Sequence, residues 1–363
     1  MGIFSRISIL LMFMSWTGLC LPTDGPSSSL VERTTCTSSC KYARKEWGSL
    51  TKTQRTSYIN AVKCLQKRPS IIPAGLVPGA KSRYDDFTAT HINQTLSVHL
   101  SGIFLSWHRE FIFLFEQALR NECGYTGYLP YWNWALWASS LSTSPIFDGS
   151  ATSLSGDGVY LPDQGPYTVG NGETLPHGTG GGCVTSGPFK DLTVNLGPFD
   201  FSIVFTGALP SNWTAYNPHC LSRDLNNYIA TRYGNQTAID FLMAKKTIAD
   251  FQNTMSGADI NLGVHGGGHF SAGATLLDFF ASPSDPAFYL HHGMIDRVWT
   301  LWQAADPANR VNALDGTSTI FNGNATPNVT LDTVVDWGYL SPTKKTLRQL
   351  VSVTAGDFCY GYQ

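Results

Sequence analysis

Apolar residues recur at helical spacing in several stretches of this 363-residue chain. Over 50–65, Tyr58, Ala61, Val62 and Leu65 fall on one side, which predicts an amphipathic helix. Helical spacing resumes over 84–91, with Phe87 and His91 four residues apart. The clearest pattern runs over 104–120, where Phe104, His108, Phe111, Ile112, Phe115 and Leu119 form one stripe. Glu116 and Arg120 are spaced there for an outward i,i+4 ion pair. Residues 238–255 read as a further helix. The stretch 284–299 opens on Asp285, a good N-cap, and Pro286, which suits a first helical position because no backbone donor is needed there. It then sets Phe288, His292, Ile295, Trp299 and Trp302 on one face. A histidine on a buried stripe needs a partner, and Asp296, one turn beyond His292, is placed to supply one.

The intervening stretches read differently. Residues 69–79 form a loop, and 129–137 form a dense aromatic patch containing Tyr131, Trp132, Trp134 and Trp137. From 139 to about 199 the chain is rich in Gly, Ser, Thr and Pro, which predicts a long surface excursion. From 306 onward Gly, Asn, Pro and β-branched residues predict loops with a few short strands. No βαβ alternation occurs, so a parallel-sheet fold is excluded and the class is mainly α. No low-complexity linker or repeat divides the chain, which reads as one large domain over 34–363.

Composition narrows the function classes. With 24 Lys and Arg against 26 Asp and Glu the formal charge is −2, and no long basic or acidic run occurs. Neither nucleic acid nor a membrane surface is an expected partner. Residues 1–20 read as a secretory signal peptide: Arg6 is followed by a short apolar run over 7–14, with Gly18 and Cys20 before the cut. Residues 21–33 read as an unstructured leader. N-x-S/T sequons at Asn93, Asn212, Asn235, Asn324 and Asn328 fit a secreted, extracellular glycoprotein. Without Cys20, seven scattered cysteines remain, which points to disulfides rather than a zinc ribbon. Seven is odd, so at least one is free or pairs between chains. Cys36, Cys40 and Cys359 suggest a staple between the two ends, with connectivity left open.

Six of the nine histidines fall into two groups of three. The first is His91, His99 and His108; the second is His265, His269 and His292. His265 and His269 are i,i+4, so on a helix they share a side. So many imidazoles directed inward without a carboxylate make chemical sense if metal ions take up their nitrogens. A zinc protease would carry a glutamate after the first histidine of H-x-x-x-H, where this chain has Gly266. An iron oxygenase would add a carboxylate to two histidines. Two full triplets suit two coppers, although spacing alone leaves scattered core histidines as an equal alternative.

Longer motifs favour the coppers. The segments from His91-Ile92-Asn93 through Phe104-Leu105-Ser106-Trp107-His108-Arg109, and from Asp285-Pro286-Ala287-Phe288-Tyr289-Leu290-His291-His292 through Asp296-Arg297, closely resemble the two copper motifs of tyrosinases and catechol oxidases. Tyr131-Trp132-Asn133-Trp134, Arg44-Lys45-Glu46-Trp47 and Tyr360-Gly361-Tyr362 resemble further segments of that family, and the short secreted fungal-type polyphenol oxidases match best. The resemblance implies a four-helix bundle holding two copper ions. It assigns His91, His99 and His108 to copper A and His265, His269 and His292 to copper B, with O2 as co-substrate. His291 is then not a ligand, and His177 and His219 are structural or solvated. Asp296 would orient imidazoles from outside the ligand set, and Phe279 resembles the family's gate over copper A.

Three departures from the family pattern refine this. Ser97 replaces a cysteine that often ties the second copper-A histidine, so no thioether is expected. The chain ends just after Tyr362, so no C-terminal shielding domain is expected, nor any need to remove one. Ser256 and Gly266 stand where many tyrosinases carry a glutamate and an asparagine, which leaves Asp259 as the substitute base. The implied activity is oxidation of o-diphenols to o-quinones on small phenolic substrates, with weak monophenol hydroxylation, by a monomer or dimer. Rival readings are a tailoring oxidase for an o-aminophenol or one particular phenolic, and a haemocyanin-like oxygen carrier.

Overall fold

The computed structural model describes residue 36 and residues 42–169, 172–257, 262–323 and 326–363. The signal, the leader, Cys40, Asp259 and Asn324 lie outside the described residues. Ten helices matter for the site: α1 (Lys52–Leu65), α2 (Arg83–Val98), α3 (Phe104–Cys123), α4 (Ile203–Thr206), α5 (Asn227–Tyr233), α6 (Gln236–Met243), α7 (Ile248–Ser256), α8 (Gly263–Ala272), α9 (Ala274–Leu277) and α10 (Ala287–Ala304). Mainly helical architecture is thus as expected, and α2, α3, α8 and α10 make the bundle that carries the histidines.

Local chemistry sets the helix ends. Thr51 and Gln54 close a capping box on α1, and Ser82 and Asp85 close another on α2. Such caps contribute about 1 kcal/mol each. Gly124, at φ 66°, ends α3 in the left-handed conformation that glycine adopts without a side-chain penalty. α10 starts one residue later than its sequence predicts: Pro286 is the cap residue, and Asp285 Oδ1 accepts from Ala287 N at 2.8 Å. The same carboxylate takes two bonds from buried Arg223, at 2.8 and 2.6 Å, which pins the start of α10 to a distant loop. The stretch 238–255 is two helices, α6 and α7, because Thr247 caps a new start by accepting from Asp250 N.

The expected surface excursion after 139 is corrected as well. Its short strands are exposed in part, but Phe147, Leu154, Leu175, Val184, Phe189 and Leu196 are all buried. Each such side chain contributes about 1.5–3 kcal/mol by leaving water. Gly and Ser supply the turns there while the sparse apolar residues supply the anchors. The disulfides are Cys36–Cys359, Cys64–Cys123 and Cys183–Cys220. The first is the staple between the two ends, beside the parallel pairing of Tyr42–Arg44 with Tyr360–Tyr362. Among the described residues every cysteine is thereby in a disulfide, so none is available for a thioether at His99. No described helix is long and apolar enough to cross a membrane.

Candidate metal centre

Each triplet is assembled from two helices, the first with a residue flanking one of them as well. His91 lies inside α2, His99 follows its last residue in extended conformation, and His108 lies in the second turn of α3. His265 and His269 share one side of α8, and His292 lies in α10. All six are buried or nearly so. The triplets abut, with the His108 and His292 rings stacked at 4.6 Å between centroids.

The hydrogen bonds fix which nitrogen faces inward. His91 Nδ1 donates to Phe280 O at 2.6 Å, His99 Nδ1 to Thr95 O at 3.1 Å, His108 Nδ1 to Phe104 O at 2.9 Å and His269 Nδ1 to Leu276 O at 2.7 Å. A carbonyl only accepts, so in each ring the hydrogen sits on Nδ1 and the lone pair on Nε2. His91 Nε2 and His108 Nε2 are buried and have no hydrogen-bond partner. In the other triplet the Nε2 atoms of His265 and His292 stand 3.2 and 3.3 Å from His269 Nε2. Imidazole–metal bonds of about 2.0–2.1 Å to one ion would set neighbouring nitrogens at roughly that separation. The residues present therefore fit two metal ions of imidazole preference.

A fourth imidazole, His291, lies within reach of the second triplet. Trp134 Nε1 donates to His291 Nδ1 at 3.0 Å, so its hydrogen sits on Nε2, the atom that would have to ligate. Trp134 thus occupies the lone pair of His291, a role that its aromatic segment alone does not reveal. His291 fills a tight place: a Cβ on Gly268 would stand 2.2 Å from His291 Cε1, and one on Gly267 2.4 Å from Tyr233 Cβ. Gly266 differs, being half-buried with only the Leu262 side chain close, at 3.2 Å. Close packing is the work of Gly267 and Gly268, and Gly266 is free for another use.

Asp296 is a correction. It touches no imidazole. Its Oδ1 accepts from Arg109 Nε at 2.6 Å, and its Oδ2 from Arg44 Nη1 at 3.3 Å, Tyr360 OH at 2.6 Å and Tyr362 OH. Burial pushes this carboxyl up, but Arg109, Arg44 and the two hydroxyls together hold it below the usual range. One helical turn aligns Asp296 with His292 in sequence; the arginines, from elsewhere in the chain, claim it. The Glu116–Arg120 pair is corrected likewise: buried Glu116 accepts from Arg44 Nε and Leu129 N, both at 2.9 Å, and Arg120 turns to Gly127 O. His177 bonds Asp224 at 2.9 Å in its loop, away from both triplets. Phe279 packs on His99 at 4.7 Å between ring centroids.

Burial depresses the imidazoles, His99 to about 3 and His269 to about 4. In the unfolded chain they return to about 6.5. The unfolded state therefore binds more protons below that value, and stability rises with pH across this window. Metal-free protein should lose stability steadily as pH falls from about 6.5 towards 4. Urea melts over that range check this, and a flat profile would contradict the neutral, buried imidazoles.

Comparison with known proteins agrees with this geometry. The family model "Common central domain of tyrosinase" matches residues 81–305, more than half of the chain. The chain belongs to the tyrosinase family. Tyrosinase P of Aspergillus terreus is 51% identical over 326 residues, covering 88% of this chain and 91% of the relative. N-acetyl-6-hydroxytryptophan oxidase ivoB of Emericella nidulans is 43% identical over 345 residues, covering 90% and 94%. A polyphenol oxidase variant from Thermothelomyces thermophila has the same fold, with TM-score 0.84 and 43% identity over 91% of this chain and 90% of the other. As a tyrosinase-family member the chain is a copper oxidoreductase, and its two buried triplets are consistent with a dinuclear centre.

Proposed function

We propose that His91, His99 and His108 hold one copper and His265, His269 and His292 the other, and that the chain oxidises o-diphenols to o-quinones as O2 is reduced to water. The observation that carries this reading is the convergence of imidazole nitrogens within each buried triplet, with a carbonyl at Nδ1 leaving the lone pair on Nε2 in four of the six rings. The bound metal pair supplies the electron transfer between phenol and O2. The protein keeps six imidazoles neutral by burial, and four of them it orients by carbonyls at Nδ1. Phe279 borders the approach at His99 as a gate. Gly266, without a side chain, leaves the approach beside His265 open to bulky diphenols.

Monophenols are a harder substrate. A phenol with a pKa of about 10 must lose its proton before its oxygen can bind, so a positioned base helps. Gly266 offers no side chain and Ser256 no carboxylate to polarise a water as an asparagine and a glutamate would, and Asp259 is the one substitute base we assign. Without the asparagine and glutamate pair to position a water, monophenol hydroxylation is weak or absent even with Asp259 as a base. A second reading, a tailoring oxidase for an o-aminophenol or one particular phenolic in secondary metabolism, is favoured by the hydroxytryptophan oxidase among the relatives. Three disulfides support secretion, because such bonds persist in an oxidising compartment.

Metal analysis together with matched phenol, catechol and aminophenol substrates tests the reading. Two coppers per chain and catechol rates far above phenol rates are expected. Gly266→Asn should raise phenol hydroxylation relative to catechol oxidation, since the space beside Leu262 admits a side chain with a small shift. One copper per chain, mainly zinc, or efficient lag-free tyrosine hydroxylation by the wild type would sink it.

A further inference from the structure

A row of aromatic rings leads from the candidate copper site to the surface. Phe279, against His99, meets Phe201 edge to face at 5.2 Å. Phe201 meets Phe205 edge to face at 5.7 Å, and Phe205 stacks on Phe321 at 6.1 Å with the planes 8° from parallel. Beyond Phe279 the rings are far from buried: Phe201 is 48% exposed, Phe205 71% and Phe321 51%.

Three large apolar side chains in one exposed row forgo the burial that folding normally secures, and contiguous patches of this kind mark binding surfaces. The backbone is also specialised to present them. Phe321 and Asn322 sit at φ 57° and 51°, a left-handed conformation unfavourable for a bulky side chain. The single turn of α4 is anchored from below by buried Val204, in a cluster with Ile92 and Phe280, so that neighbouring Phe205 faces outward.

The row is continuous with the site at Phe279, and this decides what it binds. A lone catechol ring at the coppers meets Phe279 at most. A second ring joined to the phenol would lie along Phe201 and Phe205, where edge-to-face and offset stacking are the favoured geometries. We infer that Phe201, Phe205 and Phe321 form an aryl-binding subsite, so that the preferred substrates are o-diphenols bearing a second, uncharged aromatic ring. This rests on the o-diphenol oxidase reading above and adds the substrate class.

Steady-state kinetics of the copper-loaded protein on catechol and 4-phenylcatechol provide the test. The wild type should favour 4-phenylcatechol by about tenfold in kcat/KM, expressed mainly in KM, and Phe201→Ser/Phe205→Ser should abolish that preference. Phe205→Ser alone, at a highly exposed position, should lose part of it and guards against misfolding of the double variant. Metal-free protein should bind redox-inert 4-hydroxymethylbiphenyl saturably, with affinity about tenfold weaker in the double variant. A wild type that holds two coppers yet oxidises neither catechol defeats the oxidase reading, while the biphenyl titration still decides the subsite. An unchanged substrate ratio with unchanged biphenyl affinity overturns the subsite. So does a shift in sedimentation from dimer to monomer in the double variant without a change in ratio, which would make the row an interface between copies.

Discussion

His108→Ala and His292→Ala should each abolish oxidase activity and release copper from one half of the centre. The loss should exceed the ~10²–10³-fold that one missing transition-state hydrogen-bond donor costs, because the redox chemistry leaves with the metal. On the proposed assignment His91 and His99 already serve the same copper, and their Nδ1 atoms are held by Phe280 O and Thr95 O, so neither supplies a replacement nitrogen. His291→Ala is the informative control. His291 lies within reach of the second triplet, but the Trp134 N–H occupies its Nδ1 and leaves the hydrogen on Nε2. That variant should keep both coppers and part of its activity, losing some stability to the cavity beside Gly268. Copper counts by atomic absorption alongside catechol oxidation check the set. A His291 variant that lost copper while the His292 variant kept both would reverse the assignment.

The second large effect is on stability rather than chemistry. Asp296→Ala should destabilise the fold by about 3–5 kcal/mol, the range for removing one partner of a buried ion pair. Arg109 is fully buried and its carboxylate partner is Asp296; its other bonds run to Thr300, Leu350 and Gln303, none of them charged. Arg44 keeps Glu116 but loses one of its two carboxylates. Such a loss is a large fraction of the 5–15 kcal/mol that holds most domains folded. The sign with pH follows from the depressed carboxyl. Its contribution is fully present above about pH 4, the unfolded value, and is lost as pH falls through the lower folded value. Urea melts of wild type and Asp296→Ala should therefore differ most near neutrality and converge in acid. Copper content of the variant at low temperature should match wild type, because Asp296 touches no imidazole. Selective copper loss with unchanged stability would restore the role of imidazole orienter.

Much of the helical frame was legible along the chain. The stripes of Phe104, Phe111, Phe115 and Leu119, and of Phe288, Ile295, Trp299 and Trp302, are local patterns with a fixed period, and each became a helix of the bundle. The i,i+4 spacing of His265 and His269 likewise needed only α8 to bring them together. The histidine triplets themselves could be grouped on sequence because motif residues surround them.

Residues whose partners lie far away were not legible in this way. Trp134 and His291 are 157 positions apart, and Arg44 and Asp296 are 252 apart. Periodicity carries no information at that range, so Asp296 looked like the partner of His292 and Glu116 like the partner of Arg120. The low-dielectric interior decided otherwise. A buried arginine needs a carboxylate more than a neutral imidazole does, and it takes the nearest one regardless of sequence. Disulfide connectivity and the exposed row from Phe279 to Phe321 belong to the same class. Sequence by itself determined which elements form and which side chains carry chemistry; the tertiary structure alone decided which of those side chains meet, because contact depends on how the elements pack and not on where the residues stand in the chain.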